Sequence, residues 1–179
     1  MTFRRLFLFV EGDDDERFFR SVLLPSFQST YQDIQFVQFT RLKKEKVRAF
    51  LQSIAGMRAD YIFVHDLDQL PCATAARDKL LKVFPQVSGD RVQIVKAEIE
   101  SWYCAGLPEG HPWRSLAARP HLDTSMVTKE AFEAATLSKG APRVSTMLEI
   151  LESFDREAAE RRNESFRRFV RRFITPLGP

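Results

Sequence analysis

The stretch Leu6-Phe7-Leu8-Phe9-Val10-Glu11-Gly12-Asp13-Asp14-Asp15-Glu16-Arg17-Phe18-Phe19 constrains this chain most. An unbroken apolar run stops at a carboxylate, a glycine and three aspartates, and an apolar pair then resumes. The run has the length and aromatic content of a buried strand. Gly12 permits a sharp turn off its end. Asp13 or Asp14 caps the helix that follows, whose first-turn acids meet the positive end of the helix dipole. Glu11 is thereby placed at the carboxyl edge of a buried strand, where open α/β sheets hold their ligands.

The pattern continues down the chain. Strands are predicted over residues 4–10, 34–40, 61–65 and 91–97, with helices over 14–24, 43–57 and 73–84 between them. Pro25 is expected to end the first helix, and Gly56 to sit near the end of the second. Residues 98–105 read as a short helix or turn. This alternation predicts an α/β fold, a mainly parallel four-stranded sheet covered by helices. After Gly106, Pro108, Gly110, Pro112 and Pro120 mark a loop-rich connection, followed by helices over 126–136, 142–154 and 155–173. The expected organisation is an α/β core over 1–106 and a loop and helical extension over 107–179, packed as one domain.

Composition narrows the function classes. No segment approaches the length of a membrane span, and the first residues lack the cleavage site of a signal peptide. Cys72 and Cys104 are too few for a disulfide framework and read as free thiols in a reducing cytoplasm. They form no close ligand set with His65, His111 or His121, so structural zinc is not expected. The net charge is +3, but Arg161, Arg162, Arg167, Arg168, Arg171 and Arg172 crowd one end. That asymmetry suits a polyanion held near an acidic centre, and it equally suits a solvated arginine-rich helix.

Three predicted strands deliver acids at their ends: Glu11 with Asp13 to Asp15, then Asp66 and Asp68, then Glu98 and Glu100. In a parallel sheet these ends share one edge. Asp66 and Asp68 are two apart and point to the same side of an extended chain. Glu98 and Glu100 share that property only if their strand reaches them. Clustered carboxylates repel unless a cation neutralises them, and oxygen donors without a Cys/His set suit Mg2+ or Mn2+. The expectation is a site for one or two such ions acting on phosphates. Each piece also has a plainer reading. Asp13 and Asp14 serve as helix-cap and first-turn acids, and Asp-x-Asp serves as turn chemistry. The histidines are read as structural or surface groups, and Trp102 and Tyr103 as core. Lys139, in the loop Ser138-Lys139-Gly140, is a secondary candidate for a phosphate contact.

These residues resemble the Toprim fold, the Rossmann-like metal-binding domain of topoisomerases, DnaG-type primases, small ribonucleases and OLD-family nucleases. The resemblance lies in Val10-Glu11-Gly12 and in His65-Asp66-Leu67-Asp68. It extends toward the small bacterial Toprim-like proteins of unknown function (DUF4276 type) through Asp15-Glu16-x-Phe18, Glu98-Ile99-Glu100-Ser101-Trp102-Tyr103 and Ser165-Phe166-Arg167-Arg168-Phe169. It covers the first 105 or so residues best. Many Toprim proteins carry a glycine after Asp-x-Asp, where this chain has Gln69-Leu70-Pro71.

The resemblance implies catalytic roles for Glu11, Asp66 and Asp68. It implies metal binding by Glu11, Asp15, Asp66, Asp68 and Glu100, with Glu98 as second choice, and a general acid/base role for Glu11. Arg167, Arg168, Arg171 and Arg172 are then the expected contacts to DNA or RNA. No Gly-Lys-Ser/Thr phosphate loop occurs, so an OLD-type ATPase would come from a separate partner. The alternative expectation is a non-catalytic Toprim-like subunit that binds nucleic acid or protein within a larger, defence-related assembly.

Overall fold

The computed structural model describes residues 3–67, 70–117 and 123–175. Asp68, Gln69, Pro120, His121 and the final Pro-Leu-Gly-Pro lie outside the described residues. The protein is α/β. Strands β1 (Arg5–Val10), β2 (Asp33–Gln38), β3 (Asp60–Asp66) and β4 (Val92–Val95) form one all-parallel, Rossmann-like sheet in the order β2-β1-β3-β4. Central β1 pairs from Arg5 opposite Asp33 to Val10 opposite Gln38, and on its other side from Leu6 opposite Asp60 to Phe9 opposite Phe63. Successive residues of β1 point to opposite faces, yet Leu6 through Val10 are all buried. Both faces are therefore covered, as a parallel sheet requires.

The chain divides into two compact units, Met1–Ile94 and Val95–Pro179. Residues 95–106, assigned to the core from sequence, thus group with the helical part. In the first unit, helix α1 (Asp13–Phe18) runs through a π-helical turn (Phe19–Leu23) into α2 (Leu24–Gln28). The predicted stop at Pro25 does not occur. Pro25 falls in the first turn of α2, where a missing N–H costs little. Helix α3 (Lys44–Met57) ends on Arg58 in the left-handed region (φ 51°), not on Gly56. The Ala59 amide closes that end on the Ile54 carbonyl at 3.1 Å. Val47, Leu51 and Ile54 of α3 and Leu80 of α4 (Ala73–Val83) join the aromatic core under β1 and β3. There Phe9 and Phe63 stack with centroids 4.2 Å apart, and Phe39 and Phe84 lean on Phe63.

The second unit contains α5 (Glu100–Ala105), a 3-10 turn (Arg114–Ala117), α6 (Lys129–Ser138), α7 (Arg143–Glu152), α8 (Arg156–Arg162) and α9 (Glu164–Phe169), which runs into a π-helical turn (Val170–Ile174). The single helix predicted over 155–173 is broken at Asn163, whose extended backbone ends α8 and caps α9. A buried polar cluster explains the break. Asn163 Oδ1 accepts from the Phe166 amide at 3.0 Å and from the Ser165 hydroxyl at 2.7 Å, while its Nδ2 donates to Thr124 Oγ1 at 3.1 Å. Ser165 Oγ in turn accepts from Trp102 Nε1 at 2.8 Å, and Ser101 Oγ donates to the Lys96 carbonyl at 3.2 Å. Trp102 is fully buried against Phe166 and Phe169. The Ser-Trp and Ser-Phe pieces of the sequence pattern are thus tied together as structure. Among the described residues, no helix is long and apolar enough to cross a membrane.

Candidate functional site at the carboxyl edge of the sheet

Glu11 follows the last residue of β1, and Asp66 is the last residue of β3. The register that sets Phe9 opposite Phe63 carries Glu11 level with His65 two residues on. The geometry matches: the Asp66 amide donates to Glu11 Oε1 at 2.8 Å, and His65 Nδ1 hydrogen-bonds the same oxygen. The Thr40 hydroxyl donates to the Glu11 carbonyl from the β2 side. The Glu11 side chain is 23% exposed, and that of His65 14%. The His65 ring makes a T-shaped contact with Phe39, so the pair adjoins the aromatic core.

Burial pushes the Glu11 carboxyl up. The His65 hydrogen bond, the Asp66 amide and the His65 charge outweigh it and hold the group below the usual glutamate range. Among the described residues, no lysine or arginine pairs with Glu11. The opposite edge of the sheet differs, because there Asp60 is paired with Arg4 and Arg91, and Asp33 with Arg5. Guanidinium groups neutralise the acids at the amino edge, whereas Glu11 is held by an imidazole and a backbone amide.

The other predicted site residues are placed as follows. Asp15 is buried, and its Oδ2 accepts from the Gly12 amide at 3.1 Å, closing the start of α1. Asp13 pairs with Arg41, which holds its carboxyl below the usual range, and Asp14 pairs with Arg17. Glu98 and Glu100 do not continue a strand. β4 ends at Val95, and Ala97 at φ 61° turns the chain away before them. Within the second unit, Glu100 is buried against Arg143, and Glu98 accepts from the Lys129 amide. Burial raises the Glu100 carboxyl above its ordinary value despite Arg143. Lys139 donates to the Pro112 carbonyl at 2.8 Å and lies over the Trp113 ring, so it ties down a loop. Asp68 lies outside the described residues.

Among the described residues, no group of three or more His, Cys, Asp or Glu side chains is placed to share one metal ion. Carboxylate oxygens are donors of the kind that suit a hard cation. Glu11 and Asp66 offer carboxylate oxygens at one strand edge, and Mg2+ is often held by one or two carboxylates with water completing its shell. His65 is the residue that sequence reasoning passed over. Its signal was available, since Phe9-Val10-Glu11 and Phe63-Val64-His65 are parallel runs of the same pattern.

The arginines of the last helical stretch lie in the second unit. Arg167 is half-buried, whereas Arg168, Arg171 and Arg172 are exposed. No family model, curated protein or solved structure matches this chain. Fold and strand ends together define an α/β Rossmann-like protein with a glutamate and an aspartate at the carboxyl ends of its two central strands.

Proposed function

We propose that this protein is a Mg2+- or Mn2+-dependent, Toprim-like phosphodiesterase acting on nucleic acid, with Glu11 and Asp66 as its central carboxylates. One observation carries the reading. Glu11, at the end of the central strand, shares a hydrogen bond with the amide of Asp66 and has no arginine or lysine partner among the described residues. A divalent ion held there would supply a Lewis acid for a phosphate oxygen and for attacking water. Glu11 offers a carboxylate kept charged well below neutral pH. His65 and the Asp66 amide fix its orientation, so little freedom is lost on binding. Asp66 offers the second oxygen donor, and Asp68 follows it in sequence. The arginines of α9 and the turn after it supply the contact to the phosphate backbone.

A second reading is a non-catalytic module that binds nucleic acid or protein in a larger assembly, with a separate ATPase as one candidate partner. Its motivation is Gln69-Leu70-Pro71, where many Toprim proteins carry a glycine after Asp-x-Asp. Labelled DNA and RNA incubated with Mn2+ separate the two. The first reading expects cleavage by the wild type that is lost in Asp66→Ala, in Glu11→Ala and in chelator. Equal traces of product from wild type and Asp66→Ala would leave only the module.

A further inference from the structure

The first unit leaves one flank of its sheet open. Strand β2 ends the strand order on one side and β4 on the other. Every residue of β4 is buried, whereas β2 buries only Val37 and leaves Gln35 fully exposed. An open flank presents unpaired amides and carbonyls, and folded proteins commonly blunt it with proline, lysine, a bulge or a very short strand. β2 carries none of these. It runs for six residues, pairs with β1 without a bulge, and contains no proline or lysine. Among the described residues, no strand lies beyond it.

The same surface lacks charge. Residues 21–38 hold one charged residue, Asp33, in a chain that is 28% charged. Arg5 of β1 matches Asp33 at 2.5 Å. Helix α2 packs beside β2, and its exposed residues, Pro25 and Gln28, are uncharged. Depletion of charge marks the centre of protein interfaces. It matters most where two copies of one chain meet about a two-fold axis, because each residue on the axis then faces itself. A charge there would oppose its own kind, and the net charge of +3 already sets copies of this chain apart.

β2 is also complementary to itself. Ile34, Phe36 and Gln38 point to one face of the sheet, and Asp33, Gln35 and Val37 to the other. In an antiparallel pair of identical strands, residues that open outward must meet their counterparts, so odd positions face odd and even face even. An axis through the middle of β2 then falls at Gln35 or at Phe36. With Gln35 on the axis, Ile34 faces the partner's Phe36 and Asp33 faces the partner's Val37. No like charges meet, and the half-buried Ile34 and Phe36 cover each other. With Phe36 on the axis, Ile34 would face a glutamine instead. Arg20 lies over the Phe36 ring, 4.3 Å from its centroid, and is matched by Glu16 at 2.7 Å, so it adds no unmatched charge.

We propose that β2 is a dimer interface: two copies of this chain join their sheets edge to edge, β2 antiparallel to β2 with Gln35 on the axis. The two parallel sheets then run in opposite directions within one continuous sheet, and the two Glu11 groups leave it at opposite edges. This pairing holds whether or not Glu11 binds a metal.

The test is sedimentation velocity on the full chain at about 100 µM, where even a weak dimer is populated. Wild type is expected at twice its 20.7 kDa. Gln35→Lys sets two ammonium groups against each other on the axis and should weaken the dimer about tenfold or more. Its far-UV circular dichroism should match wild type, because the side chain is exposed in a single copy. Gln35→Glu should weaken the dimer likewise, and a mixture of the two variants should regain it. In a Cys72→Ser background, Gln35→Cys with added oxidant should give a covalent dimer, since facing residues of an antiparallel pair have Cα atoms roughly 4.5–5.5 Å apart, within disulfide reach. Lys79→Cys, exposed on α4, should not. The proposal is overturned if wild type is dimeric but Gln35→Lys dimerises equally well, if the mixed variants stay apart, or if Gln35→Cys cross-links no better than Lys79→Cys. A monomeric wild type also overturns it, and leaves the open flank to a strand of a different protein.

Discussion

Replacing Asn163 by alanine separates structure from chemistry in this molecule. The side chain is fully buried, caps α9 and joins the segments around Ser101, Thr124 and Ser165. Losing the cap costs about 1 kcal/mol. The Ser165 hydroxyl loses its acceptor inside the protein, which adds roughly 1–2 kcal/mol. The space left by the amide adds a further ~0.5–1 kcal/mol at about 24 cal/mol per Å³. The expected loss is therefore about 3 kcal/mol, a large fraction of an ordinary domain's stability. The assay is built into the chain, because its two tryptophans, Trp102 and Trp113, both lie in the second unit. Urea unfolding followed by tryptophan fluorescence reads that unit directly, and the midpoint should fall sharply in Asn163→Ala. Asn163→Ser, which keeps a capping oxygen, should recover about 1 kcal/mol. A loss in Asn163→Ala of less than about 0.5 kcal/mol would refute the reasoning, since surface-like substitutions fall in that range.

The remaining predictions bear on other parts of the molecule. His65→Ala should raise the titration of the Glu11 carboxyl, read by NMR of labelled glutamate, because the imidazole is what offsets its burial. Glu11 and Glu100 should give opposite pH trends, read by hydrogen exchange on peptides of β1 and of α5. Glu11 is lowered in the fold, so its contribution is complete above the ordinary glutamate value and lost as pH falls through its depressed one. Glu100 is raised, so the second unit should lose stability as pH climbs from the ordinary value through the raised one. Arg143→Ala strands Glu100 in the interior and should cost about 3 kcal/mol or more by the same fluorescence assay. Gly106→Ala should cost about 1–3 kcal/mol, because a Cβ there overlaps the Phe154 ring and forces it to move.

Much of the fold was legible because its strands are apolar runs closed by charge. Leu6 to Val10 and Tyr61 to Val64 state their burial in sequence, and both lie in the sheet as read. Glu11 and Asp66 follow from those runs, since residues that end adjacent parallel strands share an edge. What sequence could not show was where a chain leaves its strand or helix for reasons outside local composition. The strand predicted to Ala97 stops at Val95, because Ala97 takes a left-handed backbone that its residue type does not announce. Arg58 does the same at the end of α3, where Gly56 was the obvious candidate. Asn163 reads as one residue of an amphipathic helix until its buried partners, distant in sequence, are brought to it. Lys139 has the type and loop setting of a phosphate contact, yet the Pro112 carbonyl and the Trp113 ring already occupy it.

The wide turn at Phe19–Leu23 has a consequence for length variation. It holds one surplus residue between α1 and α2, and with it Phe27 faces inward at 2% exposure. Deleting a single residue there would remove the surplus and restore ordinary helical winding, leaving the segments on either side in phase. A one-residue deletion within α1 would instead leave the bulge in place and turn Phe27 by about 100°, toward water. The bulge acts as a phase-setter, so a one-residue deletion should be tolerated at this turn far better than within the helices on either side of it.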